Sequence, residues 1–484
     1  MMRLFTRISL AVSAVGILST ATAFTPLGPY AVDENGAVWQ TARLGYTLDG
    51  AIGGPMNAAA GEEYRWNIPT LYYAYDAAFL DFFGTRGVEE VDKAIKILND
   101  LPSATLLNVD DYPMTAERIH PRASALGVMD LKTVVLSLIC EEIGLTSPNR
   151  YIYTLRNRYQ PGPNRFPVLF NVVRRNFDPV TAAESSYING RLWDVDLIFD
   201  LDNPPWSYTA NFPVDPLDEG RFDPVASIFD PSVGAITPAF AVGSYFTGLT
   251  RDDVGAIKYM YQTANRNFEA AIAGSTSVGS GTIFVGGGGG PWTIPSTNQT
   301  TTNVVGGASG LIDPAVRNGV DKLTFVRAQF DSVLGQFFTP ITNIYTEIVY
   351  TNGAAVSQRV QRVLLAPDFL FTARDLQGAA EPGLLPATVS TRSTTAGWVN
   401  SDGLTRAVTR SGPGVIQPPI DIALNNTGFI QPWIIPGSPG SISWLGGLPS
   451  YVLGAFDGST NEPVIFSQGG NITIQQLEQI RLGR

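Results

Sequence analysis

Hydrophobic residues recur along this chain first at helical and later at strand spacing. Residues 64–75, YRWNIPTLYYAY, are aromatic and β-branched and predict a strand interrupted at Pro69. Over 87–101, Val88, Val91, Ala94, Ile95, Leu98 and Leu101 stand three and four apart. That spacing draws one apolar stripe on a helix, which Pro102 ends. A second helix is predicted over 130–145, with Asp130 as its cap and Gly144 at its end. Leu131, Val134, Val135, Leu138 and Ile139 form its buried face. Residues 192–201, LWDVDLIFDL, alternate as a strand. Trp193, Val195, Leu197, Phe199 and Leu201 share one face; Asp194, Asp196, Asp200 and Asp202 share the other. A third helix over 250–261 opens on Thr250 and Asp253, a variant of the capping box.

The pattern changes after Asn267. Residues 274–310 are rich in Gly, Ser and Thr and include five consecutive glycines, Gly286 to Gly290. This composition predicts a flexible linker, with Trp292 and Ile294 as a docked patch. From Val320 on, the spacing is that of strands. Residues 344–350 and 355–365 flank Asn352-Gly353, a strong hairpin signal. Beyond Pro386 the chain alternates short strands with Pro-Gly loops. The expected architecture is an α+β domain over 30–267, a linker over 268–310 and an all-β, sandwich-like domain over 311–484. No internal repeat stands out.

The N-terminus predicts export. Arg3 and Arg7 precede the uncharged apolar stretch 8–18, and Ala21-Thr22-Ala23 offers an A-x-A cleavage site. Residues 1–23 therefore read as a signal peptide, with a secreted or cell-surface location. No later run approaches the ~18 apolar residues of a membrane span, so no transmembrane segment is expected. The formal net charge is −11 and no basic cluster occurs, which argues against a nucleic-acid partner.

Catalytic chemistry is scarce. The chain has one histidine, His120, and one cysteine, Cys140. His120 has no ligand at helical spacing and reads as an ordinary surface or loop residue. Cys140 sits in an apolar helical run and reads as a small buried hydrophobe.

Two patches resemble the secreted zinc peptidases of the matrixin (metzincin) type. One is 65–102, where a Trp-Asn-x-Pro opening leads through a Tyr/Asp strand into an amphipathic helix. The other is 248–261, GLTRDDVGAIKYMY, similar to the closing helix of that family. The resemblance implies a zinc motif H-E-x-x-H-x-x-G on the helix between them. With Gly144 set on the motif's glycine, the zinc histidines fall on Ser137 and Glu141, and the catalytic glutamate on Leu138. The resemblance therefore implies a degenerate metzincin-like scaffold without its ligands or base.

Other chemistry remains open. Asp194, Asp196, Asp200 and Asp202 could bind calcium through hard oxygen ligands, or form a solvated strand face. Glu141-Glu142 could supply a raised-pKa carboxyl, or pair with Arg150, Arg156 or Arg158. Asn298, Asn425 and Asn471 stand in glycosylation sequons. With no catalytic or cofactor-binding residue identified, the reading is a non-enzymatic surface, matrix or assembly protein. It would self-associate or bind envelope or extracellular components. The alternative is a secreted hydrolase, either a carboxylate-based glycosidase or a metallopeptidase with unrecognised ligands.

Overall fold

The structure is a computed structural model. It describes residues 24–26, 65–159, 169–181, 183–199, 207–217, 225–227, 229–230, 235–236, 242–269, 271–278, 312, 315–351, 354–376, 387–389, 393–394, 415–427, 451–458 and 461–483. The α-helices of these residues are α1 (Ala77–Asn99), α2 (Pro121–Ala125), α3 (Leu131–Glu142), α4 (Pro148–Tyr151), α5 (Arg251–Tyr261) and α6 (Ile474–Arg481). The sheets are built chiefly from β1 (Thr70–Tyr75), β2 (Val128–Asp130), β3 (Tyr187–Ile188), β4 (Arg191–Phe199), β5 (Ser207–Pro213), β6 (Arg266–Glu269), β7 (Ser275–Ser277) and β8 (Ala315–Asn318). They continue with β9 (Thr324–Arg327), β10 (Ile341–Thr351), β11 (Ala354–Leu364), β12 (Phe369–Arg374), β13 (Ala387–Val389), β14 (Ile420–Asn425) and β15 (Val452–Ala455). The content is mixed and β-rich, with few helices.

The central sheet runs β9–β1–β12–β14–β13 and continues into Ala235–Ile236 and Phe229–Asp230. Its first four strands are parallel and β13 is antiparallel to β14. Parallel strands are covered on both faces and read as near-continuous apolar runs, as β14 (IDIALN) does. On one face, the Tyr73 and Tyr75 hydroxyls donate to Asp92 of α1, at 2.8 and 2.7 Å. Phe79 of α1 lies 4.8 Å from the Tyr75 ring. On the other face, Ala74 packs with Phe337 and Leu364.

The strand pairing crosses the expected division of the chain. β1 lies before residue 267, yet its hydrogen-bonded neighbours β9 and β12 lie beyond 311. Likewise β15 pairs in parallel with β2, Val452 opposite Val128. Strands of the expected sandwich therefore complete a sheet with the N-terminal part. Parallel neighbours need long crossovers, so local spacing carries no signal of them. The expected linker also begins as sheet. β6 and β7 are the outer strands of a five-stranded antiparallel sheet, β6–β8–β10–β11–β7. Gly286 to Gly290, Trp292, Ile294, the Asn352-Gly353 turn and residues 1–23 lie outside the described residues. The flanking strands of that turn pair from Ile341↔Leu364 to Thr351↔Ala354.

The helices follow their signals, with two differences. α1 begins ten residues before the apolar stripe. Asp76 caps it by accepting from the Phe79 N–H, and the chain turns at Gly84 (φ 59°, ψ −161°) before the stripe starts. Phe79 and Phe83 are buried and anchor that first segment. α3 has the expected cap but not the expected single buried face, since every residue except Lys132 is buried. It runs through the interior, against α1, residues 225–227 and β15. α5 makes both bonds of its capping box. No helix of the described residues is long and apolar enough to cross a membrane.

Candidate functional site

The register of the zinc motif lands inside the core. Ser137, Leu138, Glu141 and Glu142 are all fully buried. A hydroxyl, an aliphatic chain and an enclosed carboxyl do not form a zinc site with a base beside it. No group of three metal-ligating side chains occurs among the described residues. The end of α3 is fastened by aromatic donors. The Trp66 indole N–H donates to the Glu142 carbonyl at 2.8 Å, and the Tyr261 hydroxyl donates to the Ile143 carbonyl at 2.6 Å. A cavity of about 20 Å³ beside them, lined by Leu98, Ile143, Tyr261 and Leu323, has room for about one water. A substrate pocket is more than ten times larger.

Burial decides the electrostatics of this helix. It pushes the Glu142 carboxyl well above the usual carboxylate range. Burial also raises Asp130 to about 6, against the pull of Lys132 and of its hydrogen bonds. Asp130 Oδ2 accepts from the Thr133 N–H and hydroxyl, at 3.0 and 2.6 Å, and Oδ1 accepts from the Phe456 N–H at 3.2 Å. One cap thus joins the start of α3 to the C-terminal strand β15.

The remaining expected residues are scattered. His120 is not a surface residue. It is 6% exposed and its Nδ1 accepts from the Ala123 N–H, capping α2. Proline at the first position of α2 pins the chain there, a signal readable in Arg118-Ile119-His120-Pro121. Cys140 is buried, and burial raises its thiol well above its ordinary value. Asp194 and Asp196 lie on the exposed face of β4, opposite Phe212 and Ala210 of β5. Trp193 faces inward and is 5% exposed, as the alternation requires. Asp200 and Asp202 lie outside the described residues, as do the side chains of Arg150, Arg156 and Arg158. Of the sequon asparagines, Asn425 is buried and accepts from the Thr427 N–H and hydroxyl. Asn471 is exposed and Asn298 is outside the described residues.

Sequence reasoning missed a buried ionic network. Arg65, fully buried, donates from Nε to Glu269 at 2.5 Å, from Nη1 to the Met260 carbonyl at 2.6 Å, and from Nη2 to the Arg317 carbonyl at 3.1 Å. Arg317 donates to the Glu269 and Ile312 carbonyls and pairs with Glu347 at 3.1 Å. The groups come from four distant stretches of chain, and both arginines are spent on holding them together. The one hint in sequence was a charged residue inside an aromatic strand run, Tyr64-Arg65-Trp66.

The surface is more informative than the interior. Of the 21 exposed large hydrophobic residues among those described, nine lie within 326–365. Six of the nine lie on the outer face of β10–β11 (Ile344, Ile348 and Val363) or in the hairpin at 330–338 (Val333, Leu334 and Phe338). Val333 is 93% exposed and Leu334 66%, and Asp331 holds their turn by accepting from both N–H groups. Exposed apolar side chains are therefore denser along 326–365 than elsewhere among the described residues.

No protein-family model matches this chain, and neither does any curated protein or solved structure.

Proposed function

We propose that this chain is an exported, non-enzymatic assembly protein that acts by self-association outside the cytoplasm, on a degenerate peptidase-like scaffold. The observation that carries the reading is a contrast. The positions onto which the peptidase resemblance would set a zinc motif are packed into the core, while several exposed apolar side chains gather on one sheet face and its neighbouring hairpin. A helix buried on all sides supports a structural role, and apolar side chains exposed on a sheet face support a contact role. The signal-like N-terminus and the acidic, lysine-poor composition favour an extracytoplasmic setting without nucleic acid.

Light scattering on the purified chain tests this reading. A mass that rises with concentration toward oligomers or polymers is the expected result. A monomer at every concentration would overturn it and redirect the search to glycan and peptide substrates. Repeating the measurement in millimolar calcium asks whether Asp194 and Asp196 take part through an ion.

A further inference from the structure

Two sheet faces of this chain each expose apolar side chains and carry opposite charge. The first is the outer face of β6–β8–β10–β11–β7. Thr342, Ile344, Thr346 and Ile348 alternate outward along β10 and are exposed, with Ile344 and Ile348 each 44% exposed. Arg359 of β11 stands opposite Thr346, and Arg266 of β6 lies over the Tyr350 ring, 4.1 Å from its centroid. No carboxylate shares this face among the described residues. Glu347 and Glu269 lie on the other side of the sheet, bound to Arg317 and Arg65.

The second is the outer face of β3–β4–β5. Leu192, Asp194 and Asp196 are exposed along β4, with Tyr187 opposite Leu192 and Phe212 opposite Asp194. Val214, whose N–H donates to the Leu192 carbonyl, continues the row and is 47% exposed. Asp215 follows, also exposed, and no described residue of this face carries a positive charge. Each face thus mixes exposed apolar side chains with charges of a single sign among the described residues. Neither can pair with itself without bringing like charges together, which is costly. Their charges are complementary.

Resting on the reading of this chain as a self-associating protein, we propose that it assembles head to tail. The basic outer face of β6–β8–β10–β11–β7 on one copy docks on the acidic outer face of β3–β4–β5 on the next. A contact between different faces repeats from copy to copy, so it makes a ring or an open filament rather than a closed pair. The second face sets the size of the contact. The two, nine and seven residues of β3, β4 and β5, at about 3.3 Å by 4.8 Å each, give a footprint on the order of 300 Å² per copy. Interfaces of that size are weak individually, so assembly depends on concentration and weakens with salt.

Charge reversal on each face, followed by light scattering of the full chain, tests the arrangement. Arg359→Glu and Asp196→Lys both change exposed residues, and circular dichroism checks that each variant is folded. Each variant alone needs roughly ten-fold or more higher concentration for half-association than the parent chain. An equimolar mixture of the two regains association, because the intact acidic face of one meets the intact basic face of the other. Variants that associate like the parent, or a mixture that stays monomeric, overturn the head-to-tail contact and leave self-association standing. A parent chain that is monomeric throughout overturns both.

Discussion

Replacing Asp130 with asparagine tests how strongly the interior opposes its charge. In the folded chain Asp130 sits fully buried at the start of α3 with a pKa of about 6, against an ordinary 3.8. Each pKa unit corresponds to about 1.4 kcal/mol, so the shift amounts to roughly 3 kcal/mol. A raised carboxyl binds more protons folded than unfolded. Its contribution to stability is therefore full below about pH 4 and is lost as pH rises through about 6. Asparagine caps a helix as well as aspartate does and does not titrate. It does present an amide where Asp130 accepts from both the Thr133 and Phe456 donors, a constant cost of about 1–3 kcal/mol. The slope, not the absolute value, is the readout. Urea unfolding followed by tryptophan fluorescence at pH 4, 5, 6 and 7 would give both stabilities. The parent's advantage over Asp130→Asn should shrink by about 3 kcal/mol across that range. An advantage that stays constant within about 0.5 kcal/mol would refute the burial argument.

Three further outcomes follow from the interior. Arg65→Met should cost about 3–5 kcal/mol in urea unfolding, because it strands Glu269 without its partner in the core; a loss under 1 kcal/mol would mean that water reaches the pair. Relative to Glu142→Gln, the parent should lose stability as pH rises, since burial raises that carboxyl and the folded chain then binds more protons than the unfolded one; a difference in urea unfolding that does not vary with pH would refute this. Gly84→Ala should lower the unfolding free energy by about 1–3 kcal/mol through backbone strain alone, as its φ of 59° and ψ of −161° suit only glycine and the added methyl meets open space. If the alanine variant is as stable as the parent, the turn between the two parts of α1 is not fixed at these angles.

What could be read from the sequence was local. Asp130 and Thr250 cap their helices because a side-chain oxygen within three residues of an unpaired N–H needs no distant partner. Trp193 faces in, and Asp194 and Asp196 face out, because strand side chains alternate whatever lies beyond them. The paired strands β10 and β11 follow from the same logic on either side of Asn352-Gly353. The tertiary structure decided everything that depends on distant partners. Capping and apolar spacing alone gave α3 one buried face, whereas packing from several sides buried its Ser137, Glu141 and Glu142 as well. Two separate domains were a fair inference from a glycine-rich stretch. Yet both edges of β1 present backbone N–H and C=O groups that parallel strands from beyond residue 311 satisfy, and a crossover of that length leaves no periodic trace. The Arg65–Glu269–Arg317 network is of the same kind. A charged group is tolerated in a core only when its partners surround it, and those partners are separated here by up to about 250 residues of chain.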